Sequence, residues 1–303
     1  MKVLVTGSAG FLGKKICAIF EKLGHKVIRT NSCGGTGFIK MDVTLSGECQ
    51  GILAQEMPDW AVNCAGAADV DWCEDNKEEA FEVNATGARN VAQACAKTCC
   101  RMLHVSTDYV FDGKKRSRYK EGDLTCPISE YGKSKLEGEK RVMESGAEFL
   151  IARVSALYGF NDANDKPTFA SKIVSNLLQK RPFVAIMDQW NAPTPIDDAG
   201  VAFCRLMEQN DEGVINVAGS ESLSRFEFAT RVAETFGFDK SLIKTTLLEK
   251  VGFRAPRPAY SSLDISLLNS RKIAMSSATV GLKKMKSQIE STGILRKWGG
   301  EGN

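Results

Sequence analysis

The strongest constraint on the fold is a glycine turn near the start of the chain. Residues 2–6 form a short β-branched run that is typical of a buried strand. Gly7, Gly10 and Gly13 follow it directly, and an amphipathic helix opens after them. In this strand–turn–helix context the glycines permit a tight turn, a close approach of the backbone to a pyrophosphate, and close packing of helix on strand. Because the free N–H groups at the helix start also favour phosphate, the sequence predicts a dinucleotide-binding unit.

Strands and helices then alternate as far as residue 155, which predicts an α/β fold with a Rossmann-type, doubly wound parallel sheet. The predicted strands are 2–6, 25–29, 38–41, 60–64, 101–106 and 149–154, and the predicted helices between them include 46–56 and 78–98. Asp69 and Asp71 fit either a substrate-side loop or a helix N-terminus.

The character of the sequence changes at a polar loop rich in turn residues, 161–167. Beyond it we predict helices at 169–179 and 197–209, strands at 183–187 and 213–218, and a frayed end at 299–303. We therefore expect two units. Residues 1–160 form the dinucleotide-binding domain, which 196–220 join, and 161–195 with 221–303 form a smaller substrate-binding lobe over the carboxyl edge of the sheet.

Several side chains near the predicted strand ends bear on the choice of cofactor. The second strand ends at Arg29, without the carboxylate that grips the ribose 2′-OH of NAD. An arginine beside small polar side chains suits a 2′-phosphate, so NADP(H) is favoured and NAD(H) remains possible. Alternatively, Arg29 is a surface side chain that stacks on the adenine. Asp42, followed by Val43, could reach the adenine amine, and Asn84 lies on the inner side of a predicted helix.

A candidate for proton transfer lies in the middle of the chain. Thr107 follows a predicted strand, while Tyr131 and Lys135 are four residues apart, on one face of a helix. A neighbouring cation would lower the pKa of the phenol from its usual value near 10, toward the range of efficient acid–base catalysis. Thr107 could hold the carbonyl oxygen that Tyr131 protonates. An exposed helix with an unrelated Tyr and Lys would give the same spacing.

Composition narrows the class of protein. The net charge of +3 is spread along the chain, which argues against a nucleic-acid binder. Ten cysteines occur without a CxxC pair in a chain too long to need a disulfide scaffold. His25 and His104 are the two histidines, so a histidine-rich metal site is excluded and no metal is expected. No signal peptide or membrane-spanning run is found, and a cytoplasmic location is expected.

Longer motifs resemble a known family. They are Ser106-Thr-Asp-Tyr-Val-Phe-Asp-Gly113, Tyr131-Gly-Lys-Ser-Lys-Leu-Glu-Gly-Glu139, Asp188-Gln with Ala192-Pro-Thr194, and Arg257-Pro258 with Ser261 and Leu263. With the glycine turn, they make the chain similar to extended short-chain dehydrogenases/reductases, and most similar to the dTDP-4-dehydrorhamnose reductase family. The resemblance covers nearly the whole length.

The resemblance implies that NAD(P)H reduces the C4 ketone of a deoxy sugar carried on a nucleoside diphosphate. It makes Tyr131 the proton donor, Lys135 the residue that lowers its pKa and binds the nicotinamide ribose, and Thr107 the residue that polarises the ketone. Asp108 stands beside them, and Arg257 is a candidate for the diphosphate. The predicted cofactor residues are Gly7, Gly10, Phe11, Leu12, Gly13, Arg29, Asp42, Val43, Ala65, Gly66, Ala67, Asn84, Tyr131 and Lys135. The predicted substrate residues are Val70, Thr107, Asp108, Ala156 and Arg257.

The chain departs from the family pattern at three positions. Ala156 replaces a tryptophan that contacts the sugar, Tyr260 stands where asparagine is expected, and Arg29 replaces the acidic residue after the second strand. Two alternatives to the reductase therefore stay open. One is a nucleotide-sugar epimerase or dehydratase, and the other is a non-catalytic NADP-binding subunit that resembles the regulatory β subunit of methionine adenosyltransferase. A homodimer is also left open.

Overall fold

A computed structural model describes residues 1–160 and 166–292. Its strands are β1 (Lys2–Thr6), β2 (Lys26–Asn31), β3 (Ile39–Lys40), β4 (Trp60–Asn63), β5 (Arg101–Thr107), β6 (Phe149–Val154), β7 (Leu157–Tyr158), β8 (Phe183–Ile186), β9 (Trp190–Asn191), β10 (Thr194–Pro195), β11 (Gly213–Val217), β12 (Leu223–Ser224) and β13 (Ile243–Thr246). The first five residues of the predicted loop 161–167, and the predicted frayed end 299–303, lie outside the described residues.

The α-helices are distributed along the whole described chain. They are α1 (Phe11–Lys22), α2 (Ser46–Glu56), α3 (Val70–Asp75), α4 (Lys77–Phe81), α5 (Gly87–Thr98), α6 (Glu130–Met143), α7 (Phe169–Leu178), α8 (Ile196–Glu208), α9 (Arg225–Phe236), α10 (Ser266–Ser270) and α11 (Ala278–Thr292). Within the ranges described, none of them is both long and apolar enough to cross a lipid bilayer.

The central sheet confirms the predicted doubly wound α/β architecture. In the described part of the chain it has seven strands in the order β11-β6-β5-β4-β1-β2-β3, and every pair is parallel. The order reverses direction at β1, because β2 and β3 lie on one side of it and β4, β5, β6 and β11 on the other. Ligands of such sheets bind outside the carboxyl ends of the strands at this switch point.

The alternation of side chains in β1 explains the layers above and below the sheet. Val3 and Val5 face one side and belong to a core with Phe20 of α1 and Phe203 of α8. Leu4 faces the other side, where the core includes residues of α2 and α5. Both faces are covered by helices, which is why β1 is a continuous apolar run.

A second core lies in the chain beyond β6. Tyr158 and residues of α7, α9 and α11 pack together around β8 and β13, which are parallel to each other. Strand β11 returns to the central sheet beside β6.

The structure corrects one detail of the sequence prediction and decides another that was left open. The helix expected over 78–98 is divided by a π-helical turn, Glu82–Thr86, between α4 and α5. Helix α3 follows Asp69, whose side chain accepts a hydrogen bond from the Trp72 N–H at 3.2 Å. Asp69 is thus a helix N-cap, the second of the two roles open from the sequence.

A buried ion pair joins α6 to the sheet. Arg153 at the end of β6 donates to both carboxylate oxygens of Glu139, at 2.9 and 2.7 Å. The side chains are 4% and 0% exposed, respectively. Ser106 of β5 donates to the same carboxylate, and Arg153 also donates to the Glu121 carbonyl at 3.0 Å. The pair therefore links α6 to two neighbouring strands.

We expect Glu139→Gln to lower the free energy of unfolding by about 3–5 kcal/mol, because it leaves the buried Arg153 guanidinium without its counter-charge. Denaturant unfolding measures the loss. The matched control is Glu137→Gln, two residues away on the same helix, since the Glu137–Arg141 pair is partly exposed and is worth about 0.3–0.5 kcal/mol. Equal effects of the two substitutions would contradict a special role for the buried pair.

Candidate active site

The glycine turn between β1 and α1 leaves space for a ligand. Gly7 has φ of 60°, and the Gly10 N–H donates to the Gly7 carbonyl at 2.9 Å. A Cβ on Gly13 would lie 2.3 Å from that carbonyl oxygen, and a Cβ on Gly7 would lie 2.8 Å from the Ala65 nitrogen. The turn therefore accepts no side chains at these positions, and its backbone is open to an approaching phosphate group.

A cavity of about 310 Å³ runs from this turn to the ends of the central strands. Most of the predicted cofactor residues line it, together with Cys64 and Ala68 of the small-residue turn after β4. Leu157, which the sequence did not single out, also lines it. The predicted residues in its wall are Gly7, Gly10, Phe11, Leu12, Gly13, Ala65, Gly66, Ala67, Asn84, Tyr131 and Lys135. Small and apolar residues form most of its wall and leave the backbone accessible, so the residues present fit a dinucleotide cofactor.

A second cavity, of about 450 Å³, continues from the glycine turn toward β2 and β3. Asp42 and Val43 line it with Asn31, Ser32 and Thr44. The Asp42 carboxylate accepts hydrogen bonds from the Thr44 N–H and hydroxyl at 2.9 and 2.8 Å, which orders this loop.

Arg29 is not among the residues that line either cavity. Its guanidinium donates to both carboxylate oxygens of Glu21, at 2.6 and 2.8 Å. The structure therefore does not bring Arg29 together with the other predicted cofactor residues. Asn31 and Ser32, two and three residues further along, are the polar side chains that reach this cavity.

Asn84 lies in the π-helical turn and holds the loop that follows β4. Its side-chain oxygen accepts from the Ala67 N–H at 2.9 Å, and its amide donates to the Ala67 carbonyl at 3.0 Å. The same amide donates to the Ser134 hydroxyl of α6 at 2.9 Å. Asn84 thus connects the cavity wall to the helix that carries Tyr131 and Lys135.

Thr107, Tyr131 and Lys135 come together at the carboxyl end of β5. Helix α6 begins with the Ser129 side chain capping the Gly132 N–H at 3.2 Å, which places Tyr131 and Lys135 one turn apart. The Thr107 hydroxyl lies beside the Tyr131 phenol and acts to lower its pKa. The Lys135 ammonium donates to the Val105 carbonyl at 2.7 Å.

The electrostatics correct one prediction. Burial raises the pKa of Tyr131 well above its usual value, whereas the sequence predicted that Lys135 would lower it. Burial also lowers the pKa of Lys135, to about 8. Desolvation disfavours the charged form of both groups. It outweighs the opposite effect of Thr107 on Tyr131 and of the Glu139 carboxylate on Lys135. The phenol is therefore held protonated, which suits a proton donor.

Asp108 is enclosed by hydroxyl groups from three segments of the chain. Its carboxylate accepts from Ser261 at 2.6 Å, from Ser155 at 2.8 Å and from Thr107 at 3.1 Å. Burial raises the pKa of Asp108, and these hydrogen bonds act in the opposite direction. The sequence did not predict a role for Ser155. The one signal for it is its position directly after β6, next to Ala156.

The remaining predicted substrate residues lie near the same end of the sheet. Ala156 is exposed, has φ of 41°, and lines a small cleft of about 90 Å³ with Phe169 and Arg225. Val70 is the first residue of α3 and is half-buried.

An ion pair with Asp71 of α3 fixes the position of the Arg257 side chain. Its side chain is 9% exposed, and its Nη2 lies 2.9 Å from an Asp71 carboxylate oxygen. The guanidinium lies over the Phe253 ring at 4.7 Å. Its Nη1 has no hydrogen-bond partner in the described part of the chain. Asp71 pairs with Nη2, and Nη1 is the buried nitrogen left for another acceptor.

Comparison with known proteins agrees with this geometry. The family model described as the RmlD substrate binding domain matches residues 1–290. The chain belongs to this family. The dTDP-4-dehydrorhamnose reductase of Mycobacterium tuberculosis is 30% identical to the chain and covers 92% of it, with 88% of that protein matched. The sequence prediction of family and of oxidoreductase class is thereby confirmed.

Two further relatives bear on cofactor and role. The structure of dTDP-4-dehydrorhamnose reductase from Bacillus anthracis, in complex with NADP, has a TM-score of 0.87 and 27% identity, covering 95% of this chain and 99% of that one. Methionine adenosyltransferase 2 subunit beta of Bos taurus is 27% identical over 93% of this chain and 86% of that protein. The chain is therefore similar to proteins with both kinds of name.

We expect Gly13→Ala to weaken cofactor binding by at least about tenfold and to destabilise the fold by about 1–3 kcal/mol, because the new methyl group must displace the backbone of the glycine turn. Titration with NADPH and denaturant unfolding measure the two effects. The matched control is Gly51→Ala, since a Cβ there meets open space in the exposed interior of α2. That substitution should leave NADPH binding unchanged and add about 0.5–1 kcal/mol of stability. Unaltered NADPH affinity in Gly13→Ala would contradict phosphate binding at the turn.

Proposed function

We propose that the protein is an NADPH-dependent reductase of a nucleotide-linked 4-keto-6-deoxy sugar, in which Tyr131 donates the proton to the C4 oxygen. The observation that carries the proposal is the convergence of a protonated phenol, the neighbouring Thr107 hydroxyl and a buried ammonium beside the cavity that begins at the glycine turn. Relatives named as dTDP-4-dehydrorhamnose reductases support the substrate class.

The bound nicotinamide would supply the hydride, and the protein supplies position and electrostatics. In our proposal the Thr107 hydroxyl and the Tyr131 phenol hold the ketone oxygen, and Tyr131 gives up its proton as charge develops there. The Lys135 ammonium stabilises the tyrosinate that remains. Asp108 keeps Thr107 oriented through the hydrogen bond between them.

We assign the substrate to the open end of this cavity. The sugar would lie beside Val70 and Ala156, where alanine leaves more room than the tryptophan usual in the family. The diphosphate would be bound by Nη1 of Arg257, the donor without a protein partner in residues 1–160 and 166–292. Helix α3, which provides Asp71, would hold that guanidinium in place.

A second candidate is a non-catalytic NADP-binding regulatory subunit. The similarity to methionine adenosyltransferase 2 subunit beta over 93% of the chain favours it. The presence of Thr107, Tyr131 and Lys135 near the carboxyl end of β5 favours the reductase instead, since a subunit without turnover has no need of a proton donor.

We expect the protein to oxidise NADPH when given a dTDP- or UDP-linked 4-keto-6-deoxy sugar, and to use NADH less well. Tyr131→Phe should lower kcat by about 10²- to 10⁴-fold, the usual contribution of a general acid, while NADPH still binds. Tyr119→Phe is the matched control, because that phenol donates to Asp112 at 2.7 Å and lies outside the cavity. Absence of turnover with every sugar, while NADPH binds, would reject the reductase in favour of the regulatory subunit.

The lowered pKa of Lys135 predicts the pH dependence of turnover. Its ammonium loses its proton as the pH rises through about 8, so the stabilisation of the tyrosinate is present below that pH and is lost above it. We expect kcat to fall above about pH 8, and Lys135→Met to be slow at every pH without that fall. Lys133→Met, which removes an exposed lysine from the same helix, should keep the wild-type profile. The same fall in Lys135→Met would assign it to another group.

A further inference from the structure

A cluster of three potential metal ligands lies at the other end of the sheet from the reaction site. His25 occupies the turn between α1 and β2, directly before the amino end of β2. Cys204 and Glu208 lie on α8, four residues apart and therefore on the same helix face. In the described part of the chain, this is the one group of His, Cys and carboxylate side chains whose ligand atoms all lie within 4.8 Å of one another.

Helix α8 and helix α1, which precedes the turn with His25, are held together independently of the cluster. Lys15 of α1 pairs with Asp197 of α8 at 3.2 Å. Phe20 and Phe203 belong to the same core between these helices and the sheet. The positions of His25 and of the α8 face are therefore set by packing, and the three ligand atoms converge without needing to attract one another.

The three side chains of the cluster differ in their exposure to solvent. Cys204 is fully buried, the His25 side chain is 9% exposed and the Glu208 side chain is 50% exposed. The imidazole stands edge-on to the Phe20 ring at 6.0 Å, and its Nδ1 contacts the Met1 nitrogen at 3.3 Å. Nε2 is therefore the ring nitrogen that faces the thiol and the carboxylate.

The separations between the ligand atoms match those around a tetrahedral cation. The His25 Nε2 lies 3.1 Å from the Cys204 sulfur and 3.5 Å from a Glu208 carboxylate oxygen, and sulfur and oxygen are 3.7 Å apart. Zinc bond lengths of about 2.0–2.3 Å at tetrahedral angles separate ligand atoms by about 3.3–3.6 Å. One cation can thus contact all three atoms with shifts of a few tenths of an ångström, on the order of a side-chain adjustment.

We propose that His25, Cys204 and Glu208 form a binding site for zinc or a similar divalent transition metal. Imidazole, thiolate and carboxylate together suit this class of ion rather than magnesium or calcium, which prefer oxygen ligands. Binding forms bonds from the metal to His25 Nε2, the Cys204 sulfur and a Glu208 oxygen. The proton of the Cys204 thiol and the proton on Nε2 pass to solvent, and the Met1 ammonium gives a proton to Nδ1, which then donates back to the amine. The fourth position lies on the Glu208 side, where water has access.

The site would connect the α1–β2 turn to α8 through one ion. It is separate from the proposed chemistry, because the strands are parallel and Thr107 lies at their carboxyl ends, whereas His25 lies at an amino end. The sequence predicts no metal site here, since His25 and Cys204 are 179 residues apart. We therefore assign the ion a role in holding the fold, and turnover does not depend on it.

Cobalt substitution tests the site directly. After dialysis of the full chain against a chelator, titration with Co²⁺ should give one bound ion per chain and a thiolate-to-cobalt charge-transfer band. Titration with Zn²⁺ should displace the cobalt and raise Tm by a few degrees, on the order of 5 °C. Cys204→Ala should abolish the band. Cys49→Ala, which removes a buried thiol of α2 outside the cluster, should retain it.

A second variant covers the case in which Cys204→Ala does not fold. Glu208→Ala changes a half-exposed side chain and should weaken Co²⁺ binding by at least about tenfold, the lower end seen when even an outer-shell partner is lost. Absence of a one-to-one complex, or a charge-transfer band that persists at full strength in Cys204→Ala, would overturn the site. Equal Co²⁺ affinity of Glu208→Ala and the unchanged protein would overturn it as well.

Discussion

The arrangement of the reaction site depends on the ion pair between Arg153 and Glu139. Neither charge can be left without its partner in the interior, since the penalty for an unpaired buried charge is several kcal/mol. Helix α6 must therefore lie where Glu139 meets the end of β6 and the Ser106 hydroxyl of β5. Tyr131 and Lys135 are on that helix, so the same contact sets their distance from Thr107.

Hydrogen bonds to Asp108 connect the central sheet to a distant segment of the chain. Its hydrogen bonds with Ser155 and Ser261 join the end of the sheet to a segment that lies more than one hundred residues later in the chain. A buried carboxylate is stable here because its oxygens accept several hydroxyl groups, and its removal would leave those donors unpaired. The substrate side of the cavity is thus attached at the point where we place the ketone.

The two ends of the parallel sheet differ in character. At the carboxyl ends, glycine and alanine residues keep the backbone open, and the polar side chains face a cavity. At the amino ends, Cys204 is fully buried and the His25 side chain is 9% exposed, while the Glu208 side chain is 50% exposed. This difference follows from the fold, since short turns after β1 and β4 leave space that the packed helices do not fill. The proposed reaction site and the proposed metal site therefore share no residues.

The sequence by itself determined the order of elements, the glycine turn and the spacing of Tyr131 and Lys135, because these depend on local periodicity and on neighbours within one helical turn. Only the tertiary structure decided the pKa shifts of the buried groups and the partners of the charged side chains. Burial raises the pKa of Tyr131, a result opposite to that expected from the cation beside it, since desolvation depends on every segment packed around the phenol. The pairing of Arg29 with Glu21, the enclosure of Asp108 and the meeting of His25 with Cys204 likewise join residues from different elements. Such contacts have no signature in local sequence, because the packing of the sheet and its helices brings them together.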